Sequence, residues 1–446
     1  MKKTYSIGIF TAIAIVAANQ IGTGVFTSIG FQVFDITSGF SIAFLWFLGG
    51  LVALSGAFAY GELSAAMPRS GGEYHLLSEI YHPIVGFASG WISVAVGFTA
   101  PIAAASMAMG AYAASVASSL DFIVPANKEF TAQVIAIMAV SFVTLIHLLK
   151  DKIVSTFQVI FTGLKIILIV ALVGFGFMIE TPTNVSFLPT NQSISEILSA
   201  PFAVSLIFVM YAYSGWNAST YIAGEIKNPG KNLPLSLFLG TLIVILLYVP
   251  INAVFLYTAE IEQLKGQVDV GIISAKNIFG EMGGVIMGSL ISIGLISAIS
   301  SMVWAGPRVT QVMGEDTKIL NFLAIKNKNG VPAISLLIQY ILVLFFILTS
   351  SFDGVITYIG FILTISSLLT VIGVFVMRIK RPEMPRPYKT FGYPITPIFF
   401  SIVMLWMLFY VVTERPIQAL WGFATIALGL VIYFINKKIE KKQQTN

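Results

Sequence analysis

The sequence predicts an all-α integral membrane protein with twelve transmembrane helices. Of its 446 residues, 57% are hydrophobic and only 10% are charged, whereas charged residues make up about 25% of a typical soluble domain. The mean hydropathy is +0.90. Many uncharged runs are long enough to cross a hydrocarbon core about 30 Å thick, which takes about 20 helical residues. These observations exclude a soluble enzyme, a nucleic-acid-binding protein and a disordered chain.

The residue counts exclude several further classes of partner and site. The net charge is +5, but the basic residues are spread through short loops instead of forming the single basic face of a nucleic-acid binder. The chain contains no Cys, which excludes disulfides, Cys-ligated zinc and thiol nucleophiles. We therefore expect no nucleic acid, no metal site and no cofactor.

Twelve apolar segments follow one another along the chain. The first comes after Lys2 and Lys3 and continues to about Phe34 with no A-x-A-like cleavage site, so we expect it to be retained as a span and not removed as a signal peptide. The predicted spans cover residues 6–33, 39–66, 84–118, 130–149, 153–178, 197–224, 234–259, 280–310, 332–350, 354–377, 393–412 and 417–436.

The distribution of Lys and Arg between the loops predicts the orientation. An even number of spans places both termini on one side. If that side is cytoplasmic, the inner segments hold 20 of the 25 basic residues and the outer loops hold only 4, while Lys165 lies inside span five. This bias follows the positive-inside rule. The prediction is a protein of the plasma (inner) membrane with the lipid bilayer as a partner and with both termini cytoplasmic.

Two spans contain small and polar residues where a continuous helix would be expected. Span one contains Asn19-Gln20-Ile21-Gly22-Thr23-Gly24, and span six contains Tyr211-Ala212-Tyr213-Ser214-Gly215-Trp216-Asn217. Glycines weaken a helix, and freed backbone groups are costly in lipid unless they line a cavity or bind a ligand. Close packing of helices at small residues is the simpler explanation for one such site alone.

The matching positions of the two breaks favour a transport function. Spans one and six are equivalent if the first ten spans form two repeats of five, and an odd number of spans makes the second repeat inverted. Interrupted helices at equivalent positions indicate a transporter binding site. Such breaks offer N–H groups to an anion and carbonyl groups to a cation, so an α-amino acid, which carries both charges on one carbon, suits them.

Four motifs in order resemble the amino acid–polyamine–organocation (APC) superfamily of transporters, and most of all its amino-acid permease and L-type (LAT-like) branch. They span positions 22 to 309, and the twelve-span layout extends the resemblance over the whole chain. The motifs are Gly22-Thr23-Gly24-Val25, Pro68-Arg69-Ser70-Gly71-Gly72-Glu73-Tyr74, Ser214-Gly215-Trp216-Asn217 leading to Gly224-Glu225-Ile226-Lys227-Asn228-Pro229, and Ala305-Gly306-Pro307-Arg308-Val309.

The resemblance implies a five-plus-five inverted-repeat (LeuT-like) core followed by two peripheral helices. Residues 1–179 would form the first five-helix repeat, and residues 180–379 the second, inverted one. Residues 380–446 would hold the two peripheral helices and a basic cytoplasmic tail.

The resemblance also implies the substrate-binding residues. The substrate carboxylate would bind backbone N–H groups of the break Gly22–Gly24, and the amino group would bind carbonyls by position at Gln20, Tyr211 and Ser214. Tyr211 would also cap the substrate, and Asn217 would lie near it. Replacing Gly24 with Leu is expected to abolish uptake without loss of expression. The implied set is Gln20, Ile21, Gly22, Thr23, Gly24, Tyr211, Ser214, Gly215 and Asn217.

Lys165 is the one basic residue inside a predicted span. It lies too far along the helix for its side chain to reach the interface easily, and ionisable residues inside a membrane are functional by default. In some members of the family, a lysine of span five lies where sodium-coupled relatives bind Na⁺. The resemblance thus implies that Lys165 contacts the carbonyls of Ala18 and Ile21 and a hydroxyl of Ser300 or Ser301, and that transport is sodium-independent.

The predicted function is secondary-active amino-acid transport by alternating access, with neutral L-amino acids favoured. No Asp or Glu lies in the middle of a predicted span, because Glu62 and Glu225 fall near helix ends. Lys165 is then the only candidate proton carrier, and protons are a possible second partner. Proton symport and amino-acid exchange both remain open, as does the oligomeric state.

Alternatives from other classes also remain. A polyamine or cationic amino-acid antiporter could use the same scaffold, as could a membrane substrate sensor or a channel. An integral membrane enzyme is disfavoured, because the three histidines, at positions 75, 82 and 147, form no cluster and no metal-binding motif. We therefore expect no catalytic residues.

Overall fold

The computed structural model describes residues 7–122, 127–149, 154–180 and 182–444. Lys2, Lys3, Lys150 and Lys152, which contribute to the predicted charge bias, lie outside these ranges, as do the first residues of predicted spans one and five. Within the ranges the protein is helical, and its extended pairing is limited to one isolated bridge between Ile7 and Ile226.

The α-helices are numbered in chain order. They are α1 (Ile9–Gln20), α2 (Gly24–Thr27), α3 (Ile29–Gln32), α4 (Gly39–Ala66), α5 (Gly72–Ile80), α6 (Pro83–Ile92), α7 (Thr99–Ser119), α8 (Lys128–Leu149), α9 (Val154–Gly176), α10 (Asn191–Ile197), α11 (Ala200–Ala212), α12 (Ala218–Tyr221), α13 (Pro229–Thr258), α14 (Ile261–Leu264), α15 (Val270–Asp316), α16 (Ala333–Thr349), α17 (Phe352–Lys380), α18 (Ile395–Glu414) and α19 (Pro416–Gln444).

Nine helical segments in the described ranges are long and apolar enough to cross a membrane. A tenth results if α10 and α11, which meet at a bend of 67°, are counted as one. Two shorter apolar helices, Ile160–Gly176 and Ala333–Thr349, fall on predicted spans five and nine. The described residues therefore contain nine or ten membrane-span candidates, and the count of twelve stays a prediction.

The outer surface of the helix bundle is apolar. Large hydrophobic side chains are exposed on several helices, including Phe142 on α8, Ile167 on α9 and Leu405 on α18. A water-soluble protein rarely exposes apolar patches on this scale, whereas a lipid-facing helix must. Of the most apolar stretches of α18 and α19, only 28% and 22% are buried inside the protein, so these two helices lie at the periphery.

The interior is held by long helices that approach closely at small residues. Along α4, Gly49 packs against Val209 and Gly50 against Ile245, and a methyl group at either glycine would lie under 3 Å from its neighbour. These contacts join α4 to α11 and α13. Close approach at small residues is the usual way for helices to pack in lipid, where apolar side chains gain little by association.

A buried ion pair joins α4, α17 and the segment that follows α17. The Glu62 carboxylate is 2% exposed and accepts two hydrogen bonds from Arg378, at 3.0 Å from Nε and 2.7 Å from Nη2. It also accepts bonds from the backbone N–H and the hydroxyl of Thr390, both at 2.7 Å. Such a bidentate pair fixes geometry as well as charge, and it anchors the connection that leads to the peripheral helices.

Candidate functional site

The first helix break lies where the glycine-rich segment interrupts span one. Helix α1 ends at Gln20, and Ile21 leaves the helical region with ψ of 79°. The N–H of Gly22 turns back to the carbonyl of Gln20 at 2.7 Å. Helix α2 then begins at Gly24. Among the described residues, the backbone N–H groups of Thr23 and Gly24 have no acceptor, so both remain available to a ligand.

The second break follows α11 and faces the first one. Helix α11 ends at Ala212, and a turn leads to α12 at Ala218. Gly215 lies in this turn with φ of +95°, and a β-carbon there would lie 2.9 Å from the carbonyl of Asn19. Only glycine combines this backbone conformation with so close an approach. The turn of span six is thereby pressed against the end of α1.

A cavity of about 90 Å³ lies between the two breaks. Ten of the residues named from the sequence line it: Ala18, Gln20, Ile21, Gly22, Thr23, Gly24, Lys165, Tyr211, Ser214 and Ser301. Eight residues of the lining were not predicted as site residues, although Asn19 and Ala212 belong to the two predicted breaks: Asn19, Pro101, Ala105, Thr162, Ala212, Ser297, Ala298 and Met302. Pro101 and Ala105 lie on α7, which carries none of the four motifs, and Ser297, Ala298 and Met302 lie on α15, before the fourth motif.

Lys165 contacts the break of span one. Its side chain is 4% exposed, and its Nζ donates a hydrogen bond to the carbonyl of Ile21 at 2.9 Å. Its methylene stem passes Gly294 of α15, where a β-carbon would lie 3.4 Å from the Lys165 Cγ. The ammonium thus links α9 to the non-helical segment of span one, as the resemblance implied for Ile21.

Two tyrosines connect the broken helices. The hydroxyls of Tyr211 and Thr23 share a hydrogen bond of 2.7 Å across the cavity wall. From α13, the hydroxyl of Tyr248 donates to the carbonyl of Gln20 at 2.6 Å and lies 3.4 Å from that of Ala212. The ends of α1 and α11 therefore share one buried donor. Tyr248 was not predicted as a site residue, because nothing in the sequence around it marks it out.

Three of the implied site residues lie outside the cavity lining. Gly215 packs on Asn19 as described. Asn217 donates its side-chain amide to Glu73 at 3.2 Å. The hydroxyl of Ser300 is paired with Nε2 of His147 at 2.9 Å, whereas Ser301 lines the cavity and donates to the carbonyl of Ser297. Gly215 thus contacts the lining residue Asn19, whereas Asn217 and Ser300 bond to residues outside the lining.

The expectation for Gly24→Leu needs correction. A β-carbon at Gly24 would lie 2.6 Å from both Cα and Cβ of Ala212. Because the neighbour is backbone, it has little freedom to move, so a larger residue would disturb the packing of the two broken helices. We therefore expect Gly24→Leu to lower the yield of folded protein as well as uptake. At Gly22, by contrast, the nearest atom to an added β-carbon is the Gln20 carbonyl oxygen at 3.8 Å.

A family model described as amino acid permease matches residues 7–434 of the chain. The chain belongs to the amino acid permease family. The resemblance to the APC superfamily is thus confirmed over nearly the whole length.

Three curated relatives cover 96% of this permease. The b(0,+)-type amino acid transporter 1 of Mus musculus is 25% identical over 445 residues, which span 87% of the relative. The large neutral amino acids transporter small subunit 2 of Homo sapiens is 24% identical over 433 residues and 80% of its length. The Asc-type amino acid transporter 1 of Mus musculus is 25% identical over 434 residues and 80% of its length.

These comparisons confirm the coarse prediction. The family and these relatives are transporters, not enzymes, and they are named for amino acids. Together with the apolar helices, they support amino-acid transport by an integral membrane protein. At this level of identity, they leave the substrate and the mechanism of this permease to be proposed from its own residues.

The carboxylate of Glu73 is buried, which was not predicted from the sequence. Glu73, in the first turn of α5, is only 5% exposed. One of its carboxylate oxygens accepts hydrogen bonds from Tyr60 at 2.5 Å, Asn217 at 3.2 Å and Ser367 at 3.2 Å. Burial raises the pKa of Glu73 above its usual value, although these donors oppose the shift.

Glu73 belongs to the second motif, whose Pro, Gly-Gly and charged residues predict a tight cytoplasmic turn leading into an interfacial helix, with a structural or gating role. A signal was nevertheless present: Glu73 and Asn217 are both motif residues, and the interaction between them could have been suggested. The structure adds Tyr60 of α4 and Ser367 of α17, which lie in no motif and are brought to Glu73 by helix packing.

Proposed function

We propose that this permease carries neutral L-amino acids across the membrane by alternating access, independently of sodium. The observation that supports this most directly is the cavity between two broken helices, whose lining combines the unbonded backbone N–H groups of Thr23 and Gly24 with carbonyl groups of the span-six turn at Tyr211 and Ser214. A substrate with a carboxylate and an amino group on one carbon can satisfy polar groups of both signs there.

The carboxylate binds at the break of span one in this proposal. The backbone N–H groups of Thr23 and Gly24 lack acceptors among the described residues, and both residues line the cavity. A carboxylate accepts charge-assisted hydrogen bonds, which are about twice as strong as those between neutral groups. Gly22 contributes space and not a donor, because its own N–H already bonds to the Gln20 carbonyl.

The amino group binds on the span-six side. A carbonyl oxygen has two lone pairs, and the Gln20 carbonyl already accepts hydrogen bonds from Gly22 and Tyr248. It is therefore a weaker candidate than the resemblance suggested. The Tyr211 carbonyl accepts one bond, from the N–H of Ser214, and keeps a lone pair. The proposed acceptors are Tyr211 and Ser214.

The ammonium of Lys165 substitutes for a sodium ion in this proposal. It bonds to the Ile21 carbonyl, and neither Asp nor Glu appears among the residues that line the cavity. A fixed cation that holds the non-helical backbone of span one removes the need for a bound metal cation there. The same charge disfavours a cationic substrate side chain or a polyamine, because the cavity offers no carboxylate to compensate a second positive charge.

The orientation and the repeat organisation complete the proposal. Residues 1–179 and 180–379 form inverted repeats, residues 380–446 are peripheral, and both termini face the cytoplasm of the plasma membrane, as the charge bias suggests. Because the chain lacks Cys, single substitutions at exposed positions such as Glu262→Cys and Glu383→Cys give clean tests. A membrane-impermeant thiol reagent added outside intact cells should label the first variant and spare the second.

Transport by purified protein in liposomes tests the function itself. We expect a radiolabelled neutral L-amino acid to accumulate by counterflow against a preloaded pool of the same amino acid, with or without Na⁺. Arginine, lysine and putrescine should compete poorly. Dependence on a Na⁺ gradient would contradict the role of Lys165, and stronger competition by the cationic compounds would favour the antiporter alternative. Flux without counterflow would indicate a channel, and binding without flux a sensor.

A further inference from the structure

Glu73 lies outside the cavity but connects to it through span six. Asn217, which donates to the Glu73 carboxylate, directly precedes α12. Three residues earlier, Ser214 lines the cavity. The neighbouring Trp216 stacks edge-on against Tyr60, with ring centroids 4.7 Å apart. A change in the bonding of Glu73 therefore acts on the segment that carries one side of the proposed substrate site.

The span-six segment, residues 214–224, also contacts the region around α5 at two places that do not depend on pH. The N–H of Gly224 donates to the Ser70 hydroxyl at 3.2 Å, and a β-carbon at Gly72 would lie 2.4 Å from the Tyr221 ring. Neither contact involves a group that gains or loses a proton near neutral pH. Of these contacts, only the bond between Asn217 and Glu73 depends on a titratable carboxylate.

Glu73 has no charged partner in the described part of the chain. No Lys, Arg or His lies within ion-pair distance of it there. The groups that face it are neutral: Tyr60 from α4, Asn217 and Tyr221 from span six, and Ser367 from α17. On α5 itself, His75 interacts with Arg69 and Glu79 instead. A carboxylate in such a site has only hydrogen bonds to stabilise its charge.

We propose that Glu73 is a proton-binding site, and that its protonation loosens the attachment of the span-six segment to α5, α4 and α17. This inference rests on the proposed transport function for its main readout. It adds to that function a site at which a proton acts, separate from Lys165 and outside the cavity lining.

The chemistry of the hydrogen bonds explains how protonation would act. The three donors that converge on one carboxylate oxygen make charge-assisted bonds. When Glu73 binds a proton, the carboxyl becomes neutral, and each of these bonds weakens to the strength of a neutral pair. Asn217 is then held less firmly, and the segment from Ser214 to α12 can move relative to α4 and α17.

The experiment compares the pH dependence of transport in matched variants. Wild-type protein and Glu73→Gln are reconstituted in liposomes, and counterflow of a mixture of radiolabelled neutral L-amino acids is measured at equal pH on both sides, from about pH 5 to about pH 8. Glutamine keeps the size and the hydrogen-bonding capacity of a protonated Glu73. We expect the wild-type rate to change about tenfold with a single midpoint, and the rate of Glu73→Gln to change less than about twofold.

Glu79→Gln is the matched control. Glu79 lies on the same helix, but its side chain is 43% exposed and 3.5 Å from Arg381. This variant should retain the wild-type pH profile. A wild-type rate that does not depend on pH, or a Glu73→Gln profile equal to that of the wild type, would overturn the proposal. Loss of the pH dependence in a Lys165 variant alone would assign the proton to Lys165 instead.

A second variant keeps the carboxyl and removes one donor. Ser367→Ala deletes the hydroxyl that bonds to Glu73, so the carboxylate loses stabilisation and the midpoint should move up by about one pH unit. An unchanged midpoint would contradict the proposal even if Glu73→Gln fails to fold. If the wild type moves no amino acid at all, the proposed function fails, and the pH dependence of thermal unfolding then tests Glu73 by itself.

Discussion

The ammonium of Lys165 and the backbone carbonyl of Ile21 are 2.9 Å apart, in a part of the protein where the helix of span one is interrupted. The bond joins a side chain of α9 to a carbonyl that the break has freed from helical pairing. A backbone acceptor buried without a donor costs about 1–3 kcal/mol. The break is therefore stabilised from another helix, and its geometry depends on Lys165.

Lys165→Met should reduce counterflow by at least about tenfold, because it leaves the Ile21 carbonyl without its donor and removes the fixed charge. Methionine has nearly the same length, so the loss is specific to the ammonium. Counterflow in liposomes is the measurement. Lys276→Met is a suitable control, since Lys276 is a partly exposed lysine that pairs with Glu281. Wild-type rates in Lys165→Met would refute the assignment.

The two glycines of the break should respond differently to a methyl group. Gly24→Ala should lower the yield of folded protein, because its β-carbon would lie 2.6 Å from backbone and side-chain atoms of Ala212. Gly22→Ala should fold normally, since the nearest atom is 3.8 Å away, but a side chain there narrows the cavity and should weaken substrate binding about tenfold. Gel-filtration yield and binding to purified protein separate the two effects. Equal behaviour of the two variants would contradict this distinction.

The hydrogen bond between Tyr211 and Thr23 can be measured with a double-mutant cycle. Tyr211→Phe and Thr23→Val each remove one hydroxyl of the pair. If the bond helps to hold the cavity closed, the two changes should be non-additive, with a coupling energy of about 1 kcal/mol in counterflow rates. Fully additive effects would mean that the two hydroxyls act independently, and Tyr211 would then not act through Thr23.

Tyr248→Phe should destabilise the protein by about 1–3 kcal/mol, since it removes a buried donor from the Gln20 carbonyl and its weaker contact with that of Ala212. Thermal unfolding in detergent is the measurement. Tyr358→Phe, which removes a partly buried hydroxyl bonded to Thr425, is the control and should cost less. A melting temperature for Tyr248→Phe equal to that of the wild type would show that the two helix ends do not depend on this tyrosine.

The raised pKa of Glu73 predicts a pH dependence of stability. The folded protein binds this proton more tightly than the unfolded chain does. The resulting stabilisation is complete below the ordinary carboxyl pKa and is lost as the pH rises through the folded pKa. Relative to Glu73→Gln, the melting temperature of the wild type should therefore fall as the pH rises from about 4 upward. A constant difference between the two proteins would argue against a raised pKa.

Reasoning from residues alone reached the helical membrane fold and the two helix breaks. Both follow from local composition: apolar runs predict spans, and the glycines near Thr23 and Ser214 interrupt them at the observed places. The contact between Lys165 and Ile21 was reached only through family resemblance, because the two residues are 144 positions apart.

The sequence by itself determined the class of protein and the positions at which the helices of spans one and six are interrupted. Both depend on hydropathy and backbone preference, which act over a few neighbouring residues. Tertiary structure alone decided which side chains meet at those breaks. Tyr248 reaches the end of α1, and Glu73 loses contact with water among donors from α4, span six and α17. Burial and hydrogen bonding of this kind depend on how distant helices pack, and no local pattern encodes that.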